Sequence, residues 1–171
     1  MKKIEEDIFT CTHCNNDVKS DDEYCIHCGT VLVEDVHCKH HSGIEAEGIC
    51  VICSLPCCKK CGTFINNLFL CNSHSEYEIY EGMARIYGSL NDTPAQHAKS
   101  CLEQAGFHPF VFCRVQPQGG PRFVYTLFRS AGDSGGHIVN EIKVMVPCQE
   151  VVKAEKFLRK LKILEPNHTI A

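Results

Sequence analysis

The sequence predicts small metal-stabilised modules in the N-terminal half of the chain and an α+β domain in the C-terminal half. Eleven of the fourteen cysteines lie between Cys11 and Cys71, in segments too short to bury an adequate core without a metal. Beyond residue 75 cysteine becomes sparse, and apolar residues recur with the periods of strands and helices. We therefore divide the chain into residues 1–34, 35–75 and 76–171.

The first module carries two C-x2-C pairs, Cys11/Cys14 and Cys25/Cys28, separated by ten residues. Four thiolates complete the tetrahedral shell that zinc prefers and leave no position open for a substrate, so we expect a structural zinc. Gly29 follows the second pair and can adopt the positive φ that such turns need. The pattern resembles the short zinc-ribbon modules found at the N-termini of many prokaryotic proteins.

The second module contains four further pairs of soft ligands, each with two residues between its members: Cys38/His41, Cys50/Cys53, Cys58/Cys61 and Cys71/His74. Because two such pairs complete one tetrahedron, four pairs imply two zinc ions, and the whole chain is expected to bind three Zn²⁺. Two alternatives stay open at this point. Cys57 competes with its neighbour Cys58, although only Cys58 keeps the two-residue spacing to Cys61, and His40 competes with His41.

The spacing C-x2-H-x8-C-x2-C-x4-C-x2-C-x9-C-x2-H resembles that of the B-box zinc finger. The resemblance implies a cross-brace, in which the first and third pairs share one ion and the second and fourth pairs share the other. One site would then consist of Cys38, His41, Cys58 and Cys61, and the other of Cys50, Cys53, Cys71 and His74. The last pair departs from the tripartite-motif version, which usually ends in two histidines after a shorter gap, and is closer to B-box-like fingers of bacterial proteins.

A secreted disulfide scaffold is the main alternative for so many cysteines, but it has no use for histidines at ligand spacing. The N-terminal MKKIEEDIF is acidic after two lysines and lacks the apolar core of a signal peptide. No apolar run approaches the roughly 18 residues of a membrane span. We therefore expect a cytoplasmic protein in a reducing compartment, without membrane association.

Period-two alternation and turn residues predict four strands in the C-terminal segment, at about 83–90, 109–115, 122–128 and 138–146. The first strand is expected to bury Ala84, Ile86 and Leu90. In the fourth, the pattern predicts a buried face that alternates with an exposed one, with Ile142, Val144 and Val146 set against Glu141, Lys143 and Met145.

Two helices complete this segment. For the first we expect Thr93 as the N-cap, Pro94 as the first helical residue and Gln96 as the capping-box partner, with Gly106 at the end. Its predicted buried stripe is Ala98, Cys101, Leu102 and Ala105. The second helix is predicted to begin near Pro147 and to bury Val151, Ala154, Leu158 and Leu161.

The order β-α-β-β-β-α implies a mostly antiparallel sheet with both helices on one face, an α+β sandwich of ferredoxin-like type. Residues 87–111 together with residues 144–158 resemble a bacterial family of proposed signal transducers whose fold is like that of PII regulators. The matching residues are Ala98, Leu102, Glu103, Gly106, Val144, Val146 and Pro147. The resemblance implies an architecture and a regulatory role, and it implies no established reaction.

Three features of the sequence are candidate sites of chemistry. Cys148 lies at a predicted helix start, where the pKa of a thiol can be lowered, but no partner cysteine or base is evident in the sequence. His97 and Cys101 are four residues apart on a helix and would make half of a metal site; a core thiol beside a surface histidine is the simpler interpretation. Residues 132–136, GDSGG, match a protease nucleophile loop only locally, and a glycine-rich hairpin loop explains them. We expect no enzymatic activity.

Charge is unevenly distributed along the chain. Residues 1–37 carry three lysines and nine acidic residues, a net charge of −6, whereas the whole chain has a net charge of −4. An acidic N-terminal module is a poor partner for nucleic-acid phosphates. We expect a non-enzymatic zinc-binding adaptor or signalling protein that acts through protein–protein interaction. A zinc-dependent nucleic-acid-binding regulator that uses the lysine-rich last helix is the alternative, and an exposed sheet edge in the C-terminal domain would allow a homo-oligomer.

Overall fold

The structure, a computed structural model, describes residues 8–113 and 141–164. Within these ranges the strands are β1 (Ile8–Thr10), β2 (Asp17–Lys19), β3 (Gly48–Ile49), β4 (Pro56–Cys57), β5 (Gly62–Ile65), β6 (Leu68–Cys71), β7 (Ile79–Tyr80), β8 (Met83–Ser89), β9 (Phe110–Cys113) and β10 (Ile142–Pro147). The helices are α1 (Asp92–Gln104) and α2 (Val151–Lys160). Every strand pair among the described residues is antiparallel, which confirms a small α+β protein.

The N-terminal module is a β1–β2 hairpin with a very small core. Phe9 pairs with Val18 across the hairpin, and Val18 is the aliphatic residue buried there. The other buried members of this core are cysteines: Cys11, Cys25 and Cys28. Burial of one valine cannot offset the conformational entropy of about 30 ordered residues, so this module needs a further source of stability.

The middle module consists of two hairpins, β3–β4 and β5–β6, built around Phe69. Asn66 and Asn67 link β5 to β6 with φ values of 49° and 63°, as a two-residue primed turn requires. Phe69 is fully buried, and glycine is needed where its ring passes β3 and β5. A Cβ at Gly62 would lie 2.9 Å from the ring, and one at Gly48 would lie closer still.

The C-terminal sheet has the strand order β7-β8-β10-β9. Both helices pack against β8 and β10 and against each other, so they lie on the same face of the sheet. The fully buried core between helices and sheet is formed by Ala84, Ile86, Ala95, Ala98, Leu102, Val144, Val146, Val151, Ala154 and Leu158.

This core continues without a break into the middle module. Val51, Ile52 and Phe69 belong to the same hydrophobic cluster as the helix-to-sheet core. Tyr77, which follows the last metal-ligand pair, donates a hydrogen bond of 2.5 Å from its hydroxyl to Glu155 of α2. The middle module and the C-terminal sheet therefore stabilise each other, while the boundaries at residues 34 and 75 stay predictions.

Strand β10 departs from the predicted alternation, because both of its faces are buried. Val144 and Val146 face the helices, but Lys143 and Met145 are also buried. The Lys143 ammonium lies 2.5 Å from Oε1 of Glu78, and Oε2 of the same carboxylate lies 3.5 Å from Arg85. The expectation that Lys143 is exposed was wrong, because a lysine can be buried when its charge is paired.

The start of α1 also differs from the prediction. The N-cap is Asn91 rather than Thr93, so Pro94 lies inside the first turn. No capping box forms, because the Gln96 side chain donates to Asp92 Oδ1 at 3.2 Å. The run from Asn91 to Thr93 offers three residues that favour N-caps, and the sequence does not distinguish among them. The end of α1 is as predicted, with Gly106 at a φ of 83°.

Three residues that were predicted to be buried are exposed because they lie just beyond the end of a strand or helix. Leu90 is 66% exposed because β8 ends at Ser89, and Leu161 is 44% exposed because α2 ends one residue before it. On α1, Ala95 is buried and Cys101 is half-buried, whereas Ala105, one residue past the end of the helix, is exposed. Pro147 ends β10, and a turn of 3₁₀-helix over Cys148–Glu150 precedes α2.

The predicted strand at 122–128 and the GDSGG loop at 132–136 lie outside the described residues. So do residues 114–115 and 138–140 of two other predicted strands. In the part of the chain that the structure describes, no helix has both the length and the apolar character needed to cross a bilayer.

Candidate metal centres

The backbone makes the same turn at three of the C-x2-C pairs. The residue after the second cysteine adopts a positive φ of 59° at Asn15, 82° at Gly29 and 56° at Ser54. The N–H group of each donates to the carbonyl of its pair's first cysteine, at 2.9, 2.7 and 2.8 Å. The turn directs the two thiols of a pair toward one point. Gly29 was predicted to play this part; asparagine at 15 was a further signal, because it tolerates this conformation.

The first centre consists of the four cysteines of the N-terminal module: Cys11, Cys14, Cys25 and Cys28. The Sγ atoms of Cys11 and Cys28 are 3.7 Å apart, and those of Cys14 and Cys25 are 3.6 Å apart. A tetrahedral zinc with Zn–S bonds of about 2.3 Å requires sulfurs about 3.8 Å apart, whereas a disulfide requires about 2.05 Å. The spacing therefore fits an ion, and all fourteen cysteines are free thiols.

The second centre gathers residues from the first and third pairs of the middle module: Cys38, His41, Cys58 and Cys61. Nδ1 of His41 lies 3.7, 3.5 and 3.3 Å from the three sulfurs, in the order Cys38, Cys58 and Cys61. A tetrahedron with Zn–S of about 2.3 Å and Zn–N of about 2.05 Å has an S···N edge of about 3.5 Å. Nδ1 is therefore the histidine atom positioned to bind an ion.

The third centre gathers residues from the second and fourth pairs: Cys50, Cys53, Cys71 and His74. Nδ1 of His74 lies 3.6 Å from the sulfur of Cys50 and 3.1 Å from that of Cys71. The sulfurs of Cys53 and Cys71 are 3.9 Å apart. These distances bracket the edges of the same tetrahedron, so this centre also suits zinc and again uses Nδ1.

The twelve residues named from the sequence thus lie in three groups of four. In each group the ligand atoms all lie within 4.8 Å of one another. Pairs one and three share a centre, as do pairs two and four, which is the grouping that the cross-brace resemblance implies. Each group can hold a metal ion; the identity and number of the bound ions stay predictions.

Neither alternative ligand belongs to a group in the described part of the chain. Cys57 is fully buried, and this burial raises the pKa of its thiol to about 12. It therefore packs as a small apolar residue in the shared hydrophobic cluster. His40 is exposed.

Burial explains why these cysteines need a cation. Cys25 and Cys50 are completely shielded from solvent. Without metal, desolvation raises the pKa of Cys25 to about 12, and burial likewise raises the pKa of Cys71 in the third centre. A thiolate in such a place is costly unless a positive charge lies beside it. The donor sets, three or four sulfurs with at most one imidazole, are those of structural zinc.

The remaining candidate residues show no reactive arrangement. Cys148 is buried and its pKa is raised to about 12 by desolvation, which is opposite to the activated thiol that its position suggested. His97 lies 3.8 Å from the sulfur of Cys101, but neither belongs to a metal-binding group among the described residues. Sequence reasoning missed a contact at the start of α2, where His108 Nδ1 lies 2.6 Å from Glu150.

No protein-family model, curated protein or solved structure matches this chain. The assignment of the three centres therefore rests on their geometry and donor chemistry.

Proposed function

We propose that this chain is a non-enzymatic, three-zinc adaptor or signalling protein that acts by docking to another protein. In this proposal the N-terminal module is a zinc ribbon, the middle module a B-box-like finger, and the C-terminal sheet with its two helices a ferredoxin-like domain similar to PII regulators. The strand order β8-β10-β9, with both helices on one face, supports the last assignment. Ten cysteines at metal-ligand positions, none of them in a disulfide, favour a reducing compartment such as the cytoplasm.

Closed metal shells support a structural rather than a catalytic role. Each centre provides four protein ligands, so a tetrahedral zinc would keep no position for water or substrate. The other buried thiols, Cys57 and Cys148, have raised pKa values and would be protonated at neutral pH. A protonated thiol is a poor nucleophile.

The observation that carries the docking proposal is the apolar surface of the N-terminal module. We define the ribbon surface as its five exposed large apolar residues: Ile8, Phe9, Ile26, Leu32 and Val33. Ile8 is 64% exposed and Phe9 is 57% exposed. Five of the eleven exposed large apolar residues in the described part of the chain thus lie in this one small module, and such a density favours protein binding. The net charge of −6 over residues 1–37 favours a partner with basic residues around an apolar centre.

The ribbon surface can be tested by affinity capture from the native host with zinc-loaded bait. Phe9→Ser and Val33→Ser should each lose a partner that the wild-type chain retains. Leu90→Ser is the matched control, because Leu90 is 66% exposed but lies at the end of β8, outside the ribbon. Equal capture by wild type and both ribbon variants would contradict docking through this surface.

Nucleic-acid binding is the second candidate function, because α2 and the two residues that follow it present basic side chains to solvent. Lys153, Lys156, Lys160 and Lys162 are exposed, and Arg159 is paired with Glu155 at 3.3 Å. Binding through this surface would weaken steeply with salt. A Lys153→Glu/Lys156→Glu variant that abolished salt-sensitive binding to DNA or RNA would favour this function over protein docking.

A further inference from the structure

The first and third metal centres are joined by backbone hydrogen bonds next to their ligands. The carbonyl of Cys28, a ligand of the first centre, accepts from the N–H group of Phe69 at 2.8 Å. The carbonyl of the next residue, Gly29, accepts from Ile49 at 2.8 Å. Ile49 directly precedes Cys50, and Phe69 is two residues before Cys71. The same two bonds therefore flank ligands of both centres.

The contact is close, and it is shielded from water. Cys28 and Phe69 are fully buried, and Ile49 is nearly so. A Cβ at Gly29 would lie 2.8 Å from the Cβ of Phe69 and closer still to the carbonyl oxygen of Ile49. The two buried backbone hydrogen bonds stabilise the docked arrangement, and they form only when both sides hold their shape.

Each side depends on its ion for that shape. Cys28 and Gly29 belong to a metal-ligand turn in a module whose core among the described residues consists of Val18 and the cysteines Cys11, Cys25 and Cys28. Cys50 and Cys71 continue β3 and β6 directly into the third centre. Metal-dependent modules of this size lose their fold when the ion is removed. Loss of either ion should therefore remove the surface on which the other module docks.

The second centre is held differently. Its first pair takes its backbone bonds from within the middle module, with Cys38 N–H donating to Ile44 at 2.9 Å and Lys39 N–H donating to Pro56 at 2.9 Å. The second centre therefore serves as an internal reference when the N-terminal module is perturbed.

We propose that the first and third centres bind their ions cooperatively, so that an ion in either raises the affinity of the other, while the second centre binds independently of the first. This inference rests on the proposed zinc binding. Linkage requires the effect to be reciprocal, so each centre must change the affinity of the other by the same factor. We expect a factor of about 10, within the roughly 5- to 150-fold range of couplings between sites in proteins.

The test measures zinc and cobalt(II) affinities of the full chain by chelator competition. In a Cys61→Ser background, which disables the second centre, adding Cys14→Ser leaves the third centre alone, and adding Cys53→Ser leaves the first alone. Each remaining centre should bind about tenfold more weakly than it does when both are intact. In a Cys53→Ser background, adding Cys14→Ser should leave the affinity of the second centre unchanged.

Glycine variants test the contact without removing a ligand. Gly29→Ala should weaken metal binding at the third centre, because the added methyl group separates the ribbon from Ile49 and Phe69. Gly43→Ala is the matched control: Gly43 also has a positive φ, of 95°, but a Cβ there meets no atom within 4 Å. It should leave the third centre unchanged, which shows that replacing a positive-φ glycine away from the contact has no such effect.

The outcomes separate this inference from the proposed function. If the chain binds three ions but Cys14→Ser leaves the affinity of the third centre unchanged, the coupling is overturned and the adaptor proposal still stands. An equal loss at the second and third centres would also overturn it, because it would indicate general destabilisation. A chain that binds no metal would overturn both.

Discussion

Phe69 offers the sharpest test of how the modules are held together. Its side chain is fully buried, contacts the β3 and β5 glycines, and lies edge-to-face with Phe64 at a ring distance of 5.1 Å. Burying about 200 Å² of aromatic surface at about 25 cal/mol per Å² contributes about 5 kcal/mol as an upper value. Measured Phe→Ala changes in cores cost about 3–5 kcal/mol. We expect Phe69→Ala to lower the free energy of unfolding of the zinc-loaded protein by about 4 kcal/mol.

Denaturant titration followed by circular dichroism measures this change, and Phe110→Ala is the control. Phe110 is the same residue type on β9, but it is 58% exposed, so its truncation should cost less than about 0.5 kcal/mol. Since domains are typically stable by only about 5–15 kcal/mol, the Phe69 variant should show a much lower midpoint. A Phe69 variant no less stable than the Phe110 variant would refute a core shared across the modules.

Three further predictions concern individual side chains. Tyr77→Phe removes the hydrogen bond that links the middle module to α2 and should destabilise the protein by about 1–2 kcal/mol in thermal unfolding; an unchanged melting temperature would count against that link. Iodoacetamide should modify the exposed Cys113 within minutes and leave Cys148 unmodified in the folded holo-protein, because burial raises the pKa of Cys148 to about 12; a fast Cys148 in peptide mass spectrometry would revive an enzymatic role. Cys57→Ser should retain all three zinc ions, whereas Cys58→Ser should lose one, as measured by native mass spectrometry; the reverse result would exchange their roles.

The ligand pairs could be predicted from the sequence because they depend on short-range spacing, whereas the grouping of pairs in the middle module was implied only by the B-box resemblance. A two-residue gap between soft ligands brings both side chains to one ion, and His41 and His74 occupy the same place in their pairs as the second cysteines do. The choice of Nδ1 over Nε2 could not be read, because it depends on how each ring is oriented by the folded chain.

What the sequence did not reveal depends on contacts between distant segments. Lys143 alternates with apolar neighbours as an exposed residue would, and its burial follows from pairing with Glu78, 65 residues earlier. Docking of the N-terminal module on the middle module uses backbone carbonyls, which leave no side-chain pattern. Gly29 was interpreted only as a turn residue, and the lack of room beside Ile49 is a second reason for glycine there.

Elemental analysis combined with native mass spectrometry of cleanly purified protein tests the central claim most directly. We expect three zinc ions per chain, no disulfide, and one ion fewer for each centre that loses a ligand. Iron with inorganic sulfide, a single metal ion or none at all would contradict it.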